Sequence, residues 1–251
     1  MAKQGENQSA ARKRVDVLLV ERGLFESRAR ARAAIDAGLV VANDRQILKP
    51  SEVVPADAVL QAQPAYPYVS RGGVKLAGAL EQYPIEIEDH VCLDVGASTG
   101  GFTEVLLAQG AALVFAVDVG HGQLHHSLHG HPKIVSMEET DIRKLEGKRL
   151  PARPDVVVID VSFNSLKAVL PVALSLAAAP MSLLALIKPQ FEADRKHNKK
   201  GIIRDAAVHK EICDDIAAFA ASLGCTDIEV FPSPITGGDG NVEFFLGARR
   251  G

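Results

Sequence analysis

The sequence predicts an α/β chain in which an open, doubly wound sheet follows a small α+β domain, and three observations carry that prediction. From Val91 onward, short apolar runs alternate with helical patterns at the rhythm of βαβ units. Four of these runs stop at a glycine or a charge: Val91 to Val95 before Gly96, Leu113 to Val117 before Asp118, Val156 to Ile159 before Asp160, and Leu183 to Ile187 before Lys188. Before residue 61 the rhythm is different, with two short helices and a hairpin pattern. At 251 residues, 47% hydrophobic and 24% charged, the chain can bury a substantial core in one or two domains.

Residues 1–13 are polar and small, lack the apolar core of a signal peptide, and are expected to be a disordered extension. Val15, Leu18 and Leu19 then recur at helical spacing up to Gly23. Ser27 has the place of an N-cap for a second helix running to Ala37 and closed by Gly38. The net charge of −3 does not announce a nucleic-acid binder, but residues 12–32 hold seven basic side chains against Asp16, Glu21 and Glu26. For such a helix alone a solvated charged face is the commoner meaning. Leu39 to Val41, the turn Asn43-Asp44, Gln46 to Leu48 and Val53 to Leu60 complete a small hairpin assembly. Residues 61–69, with Pro64, Pro67, Tyr66 and Tyr68, read as a short stiff linker between domains at 14–60 and 70–251.

The second domain opens on Ser70-Arg71-Gly72-Gly73-Val74-Lys75-Leu76, which lacks the G-x-x-x-x-G-K-[ST] spacing of a phosphate loop. A lysine at a helix start is disfavoured by the helix dipole, so Lys75 calls for an anionic neighbour or a catalytic role. Residues 91–104 read as strand, glycine turn and helix, with Gly96, Gly100 and Gly101 letting the backbone approach a ligand. The order G-A-S-T-G-G puts Ser98 where a dinucleotide fingerprint needs its second glycine, which argues against NAD. Asp94 inside the strand suits a cationic ligand, and Asp118, 22 residues after Gly96, has the spacing of a ribose-binding acid. Adenosine with a positive, phosphate-free tail meets both demands, and S-adenosylmethionine is such a molecule. Its expected contacts are Asp94, Gly96, Ser98, Thr99, Gly100, Gly101, Phe102, Asp118, Val119, Asp141 and Asp160.

Ile134 to Ser136 gives a further strand ahead of Glu138, Thr140 and Asp141. Ala168 to Ile187 is 20 residues without a charge, long enough to span a membrane. Pro171, Pro180 and two serines instead suggest a helix, a turn and a buried strand. Asp205 is placed to cap a helix from Ala206 to Leu223, and Ile228 to Phe231 with Glu243 to Ala248 form a closing hairpin about Gly237-Gly238-Asp239-Gly240. Cys92, Cys213 and Cys225 are far apart and odd in number, so neither a disulfide framework nor a zinc knuckle is suggested, and a reducing cytoplasm is the default. His121, His125, His126, His129 and His131 lack a Cys or acidic companion, and no metal is expected. Asp160 and Lys188, at the ends of strongly apolar strands about 5 Å apart in a parallel sheet, are expected to meet over the cleft. Lys75 and Glu243 complete a Lys-Asp-Lys-Glu set; separate surface ion pairs are the plainer alternative.

Residues 14–43, R-V-D-V-L-L-V-E-R-G-L and then S-R-x-x-A-R-x-x-I-x-A-G-L-V, resemble the S-four-type RNA-binding module. Over 14–248 the order S-R-G-G-x-K-L, D-V-G-A-S-T-G-G-F, D-V-G-x-G-Q-L, D-V-S-F, I-K-P-Q-F-E and G-N-x-E-F resembles the TlyA (haemolysin A) family, whose second domain is an FtsJ-like, Rossmann-like methyltransferase. The resemblance implies S-adenosylmethionine-dependent 2′-O-methylation of cytidine in ribosomal RNA, free or in ribosomal subunits, with Lys75, Asp160, Lys188 and Glu243 as catalytic tetrad. It implies RNA contacts by Arg14, Arg28, Arg30 and Arg32, to which Arg71 is added. A lysine of pKa ~10.4 is neutral only ~0.04% of the time at pH 7, so a base role for Lys188 calls for desolvation or a cationic neighbour. A membrane-active haemolysin, supported only by 168–187, and a noncatalytic RNA-binding assembly factor are the alternatives.

Overall fold

The computed structural model describes residues 11–193 and 201–251, and the chain divides after Pro67 into two compact units. In the first unit β1 (Arg12–Arg14) leads directly into α1 (Val15–Glu21), followed by α2 (Arg28–Asp36), β2 (Val40–Ala42), β3 (Arg45–Gln46), β4 (Val53–Pro55) and β5 (Leu60–Ala62). Of the extension expected over residues 1–13, the first ten lie outside the described residues, while Arg12 and Lys13 belong to β1, which pairs antiparallel with β4. Ser27 caps α2 by accepting the amide of Arg30. Val15, Leu18, Leu19, Ala31, Ala34 and Ile35, the apolar stripes of the two helices, close on Val40, Ile47 and Val54 to form one small core.

The second unit contains α3 (Arg71–Gln82), β6 (Val91–Val95), α4 (Gly101–Ala108), β7 (Leu113–Val117), β8 (Ile134–Met137), β9 (Val156–Ile159), α5 (Leu166–Leu176), β10 (Met181–Ile187), α6 (Pro189–Glu192), α7 (Ala206–Ser222), β11 (Thr226–Pro232) and β12 (Phe244–Arg250). Its sheet has the order β11-β12-β10-β9-β6-β7-β8, and the strands from β10 to β8 are parallel. Alternation along the strands sends Leu93, Val95, Val157, Ile159, Leu183 and Ile187 to one face, where Leu170 of α5 and Ile216 of α7 cover them. Cys92, Val156, Val158, Leu184 and Leu186 face the other way, against Leu76 and Ala79 of α3 and Phe102 and Leu106 of α4. Helices therefore cover both faces, as a parallel sheet requires.

The closing hairpin forms, but β12 inserts antiparallel beside β10 along its whole length, leaving β11 outermost. The uncharged stretch 168–187 divides into most of α5 and then β10, and no helix among the described residues is long and apolar enough to cross a membrane. Asp205 caps α7 as expected, accepting the amide of Ala207 at 2.9 Å.

Candidate active site

The residues following β6, β7 and β9 are level in the register, and β10 runs two residues past β9, so all four strand ends face the same edge of the sheet. Gly96 lies at φ +87°, and a Cβ there would stand 2.4 Å from the carbonyl oxygen of Asp160. Only glycine allows that approach. Ser98 takes φ +45°, its amide donates to Asp118 Oδ2 at 2.8 Å, and Asp118 Oδ1 accepts from the amide of Gly120 at 2.7 Å. Asp118 thus ties the glycine turn to the loop after β7. A cleft of about 320 Å³ opens here, lined by Gly96, Ser98, Asp118, Val119, Asp141 and Asp160 among others.

The other residues of the turn are placed differently. Gly100, at φ +90°, is the N-cap of α4, and Thr99 is exposed, with its carbonyl accepting from the amide of His125. A Cβ on Gly101 would lie 2.2 Å from Ser70 Oγ and 2.9 Å from the amide nitrogen of Gly73, so this glycine lets α3 and α4 begin side by side. Phe102 is turned into the core, where it stacks with Phe245 at 6.3 Å between ring centroids, and its side chain does not line the cleft. Asp141 lines the cleft but is gripped by Arg143, which holds its carboxyl down at about 2.

Asp94 is fully buried on the α4 side of β6; Thr103 Oγ1 donates to its Oδ2 at 2.6 Å, and its Oδ1 has no hydrogen-bond partner. Burial, reinforced by the charges of Asp160 and Asp118, pushes its carboxyl up to about 7. Asp94 has no exposure and does not line the cleft, so its charge acts on a ligand there through space and not by contact. Carboxylates around the turn suit a cationic ligand better than a diphosphate, to which their oxygens offer no hydrogen.

Beside the cleft lie two ion pairs. Lys188 Nζ is 2.5 Å from Asp160 Oδ1 and donates to Ser162 Oγ at 2.9 Å. Lys75 Nζ, brought in by α3, is 2.6 Å from Glu243 Oε2. The sheet register links the pairs: Phe244 of β12 faces Ile187 of β10, so Glu243 and Lys188 leave the sheet side by side. Lys75, Lys188 and Glu243 are each less than a tenth exposed, so the pairs are not the solvated surface bridges of the plainer reading. The glycine-rich loop folds over Glu243, since a Cβ on Gly237 would lie 2.6 Å from its Oε1. Asn241, 2% exposed, fixes that loop through the amide of Ile203 and the carbonyl of Gly201.

Ser162, Phe163 and Asn241 were not singled out by sequence reasoning, although D-V-S-F and G-N-x-E-F contain them. Phe163 lines the cleft with 87% of its surface exposed and φ at +64°, a conformation rare for an aromatic residue, and its ring lies 5.1 Å from that of Phe191. Arg71 donates to the carbonyl of Thr236. His125 Nδ1 pairs with Ser127 Oγ and His129 Nε2 with the carbonyl of Leu124, contacts that hold their own segment.

In the first unit Arg14 and Arg28 converge on Asp16, whose carboxyl they hold down at about 2. Arg30 lies over the ring of Tyr66 at 5.3 Å, and Arg32 is exposed.

The FtsJ-like methyltransferase family matches residues 68–250, and the S4 domain matches residues 13–60. The chain is 43% identical over 95% of its length to Bacillus subtilis YqxC, which carries an rRNA methyltransferase name, covering 86% of that protein. It is 42% identical to the 16S/23S rRNA (cytidine-2′-O)-methyltransferase TlyA of Mycobacterium tuberculosis, over 96% of this chain and 91% of that one. A Streptococcus thermophilus structure solved under a hemolysin name superposes with a TM-score of 0.76 at 40% identity, covering 95% of this chain and 88% of the other.

Proposed function

From the premise that this chain belongs to the TlyA family of FtsJ-like methyltransferases, we propose that it methylates the ribose 2′-hydroxyl of a cytidine in ribosomal RNA, with Lys75, Asp160, Lys188 and Glu243 as the catalytic set. The enzyme is an S-adenosylmethionine-dependent methyltransferase. The observation that carries the acceptor reading is the pair of buried Lys–carboxylate contacts at the rim of the cofactor cleft.

Gly96, Ser98, Asp118, Val119, Asp141 and Asp160 would hold the cofactor, with Asp94 beneath supplying negative charge. When bound, S-adenosylmethionine supplies a methyl group on positive sulfur, electrophilic enough to need no metal. The remaining work is alignment of a poor nucleophile and removal of one proton. Lys188 donates one N–H to Ser162, and its Nζ stands in ion-pair contact with Asp160 Oδ1, 2.5 Å away. An ammonium has no lone pair, so Lys188 first passes one proton across that contact to Asp160. The lone pair gained on Nζ then takes the hydroxyl proton as the ribose oxygen forms its new bond. Glu243 and Lys75 position the ribose from the neighbouring strand end. The exposed ring of Phe163 offers the target base a stacking surface.

The first unit supplies RNA affinity through Arg14, Arg28, Arg30 and Arg32, with Arg71 assisting from α3, by phosphate neutralisation and shape readout. Its site of action is the ribosomal RNA or ribosomal subunits of the cytoplasm. The membrane-active alternative loses its support once residues 168–187 divide between a helix and a buried strand. Incubation with labelled cofactor and each ribosomal subunit, followed by mapping of 2′-O-methyl sites, tests the reading; absence of label from both subunits and from free ribosomal RNA overturns it. A noncatalytic assembly factor would instead bind subunits without transferring label.

A further inference from the structure

We propose that Asp16 is the positioning residue of a two-arginine phosphate clamp, holding Arg14 and Arg28 in the geometry that receives the RNA backbone. The inference rests on the RNA-binding reading of the first unit and adds to it a residue of the wrong charge for RNA. Asp16 lies in the first turn of α1 with its carboxylate fully buried. Arg14, the residue that precedes α1, donates from Nε to Oδ1 and from Nη2 to Oδ2, both at 3.0 Å. Arg28, the first residue of α2, donates from Nη2 at 2.8 Å and Nε at 3.2 Å to Oδ2. Two elements twelve residues apart thus hang their guanidiniums on one anion.

The burial is one-sided. The carboxylate has no exposure, whereas the Arg14 and Arg28 side chains remain 48% and 56% exposed. Both arginines spend the Nε–Nη2 edge on Asp16, which leaves the N–H bonds of Nη1 uncommitted to it. Two planar forks fixed at one edge and open at the other suit a tetrahedral anion that accepts several hydrogen bonds, and in a nucleic acid that anion is the phosphodiester. Long exposed arginines normally lose rotamer freedom on binding; here folding has already imposed that loss. The cost is one negative charge close to the ligand.

That cost gives the proposal its test, because charge and positioning predict opposite signs. Asp16→Asn removes one negative charge from the site, so attraction alone predicts tighter RNA binding. Positioning predicts weaker binding. The full-length protein is titrated against purified 16S and 23S ribosomal RNA at several salt concentrations. The expected result for Asp16→Asn is about tenfold weaker binding, a salt slope shallower by about one counterion, and a raised KM for RNA in methyl transfer at unchanged kcat. In the Asp16→Asn background, Arg28→Ala costs less than in the wild type. Binding that is unchanged or tighter in a folded Asp16→Asn protein overturns the proposal. Should that variant not fold, Arg14→Lys with Arg28→Lys keeps both charges on exposed side chains while removing the forked grip; about tenfold loss supports the clamp, and unaltered affinity overturns it. Absence of RNA binding by the wild type removes the RNA-binding reading itself, and Arg14→Ala with Arg28→Ala without effect on a wild type that binds removes only the clamp.

Discussion

Nζ of Lys75 lies 2.6 Å from Oε2 of Glu243, with both side chains a tenth exposed or less. Removing one member strands the other charge in a dry environment. Glu243→Ala is therefore expected to destabilise the second unit by about 3–5 kcal/mol in denaturant unfolding, whereas Lys75→Met with Glu243→Leu costs much less stability while abolishing methyl transfer. Equal stability losses for the single and double variants contradict a buried pair.

Phe163 is predicted to act mainly on the acceptor. Phe163→Ala should lower kcat/KM for RNA by roughly 5- to 150-fold, corresponding to about 1–3 kcal/mol of base stacking, with a much smaller change in cofactor Kd and Phe163→Tyr close to wild type. Steady-state kinetics with separate calorimetric titration of cofactor distinguishes this from general damage at the cleft.

Asp94 makes both stability and cofactor binding depend on pH. Its folded value of about 7 lies above its ordinary 3.8, so the folded chain holds a proton that the unfolded chain releases. The contribution is present at low pH and is lost as pH rises from about 4 through about 7. The cationic cofactor favours the ionised carboxylate, so its affinity should climb between pH 6 and 8. Asp94→Asn should flatten both trends; thermal unfolding and calorimetry across that range decide, and identical pH profiles for the two proteins contradict the assignment.

Gly96→Ala places a methyl group 2.4 Å from the Asp160 carbonyl in a backbone conformation already at φ +87°. Cofactor binding should fall below detection in calorimetry. Gly238→Ala, where a Cβ meets nothing within 4 Å, is the control and should bind normally.

Much of this site was legible in the sequence because strand ends in a parallel sheet are fixed by local apolar runs. Asp160 and Lys188 each follow such a run on neighbouring strands, and they meet although β10 runs two residues past β9. Lys75 at a helix start asked for an anion, and the structure supplies Glu243. What local pattern did not reveal was pairing between distant segments. The insertion of β12 between β10 and β11 depends on contacts across the whole domain, and it is this insertion that sets Glu243 beside Lys188. Phe102 sits in a ligand-like motif, yet the alternation of the helix face commits it to Phe245. Asp16 looked like one of three acids diluting a basic segment; only the fold shows two arginines converging on it.

The most direct test of the catalytic assignment is Lys188→Ala, read by transfer of labelled methyl to ribosomal RNA alongside cofactor titration. The expected result is a loss of turnover of at least about 10²- to 10⁴-fold, the usual worth of a positioned proton-transfer group, with cofactor affinity nearly intact. Turnover within a few-fold of wild type contradicts the account.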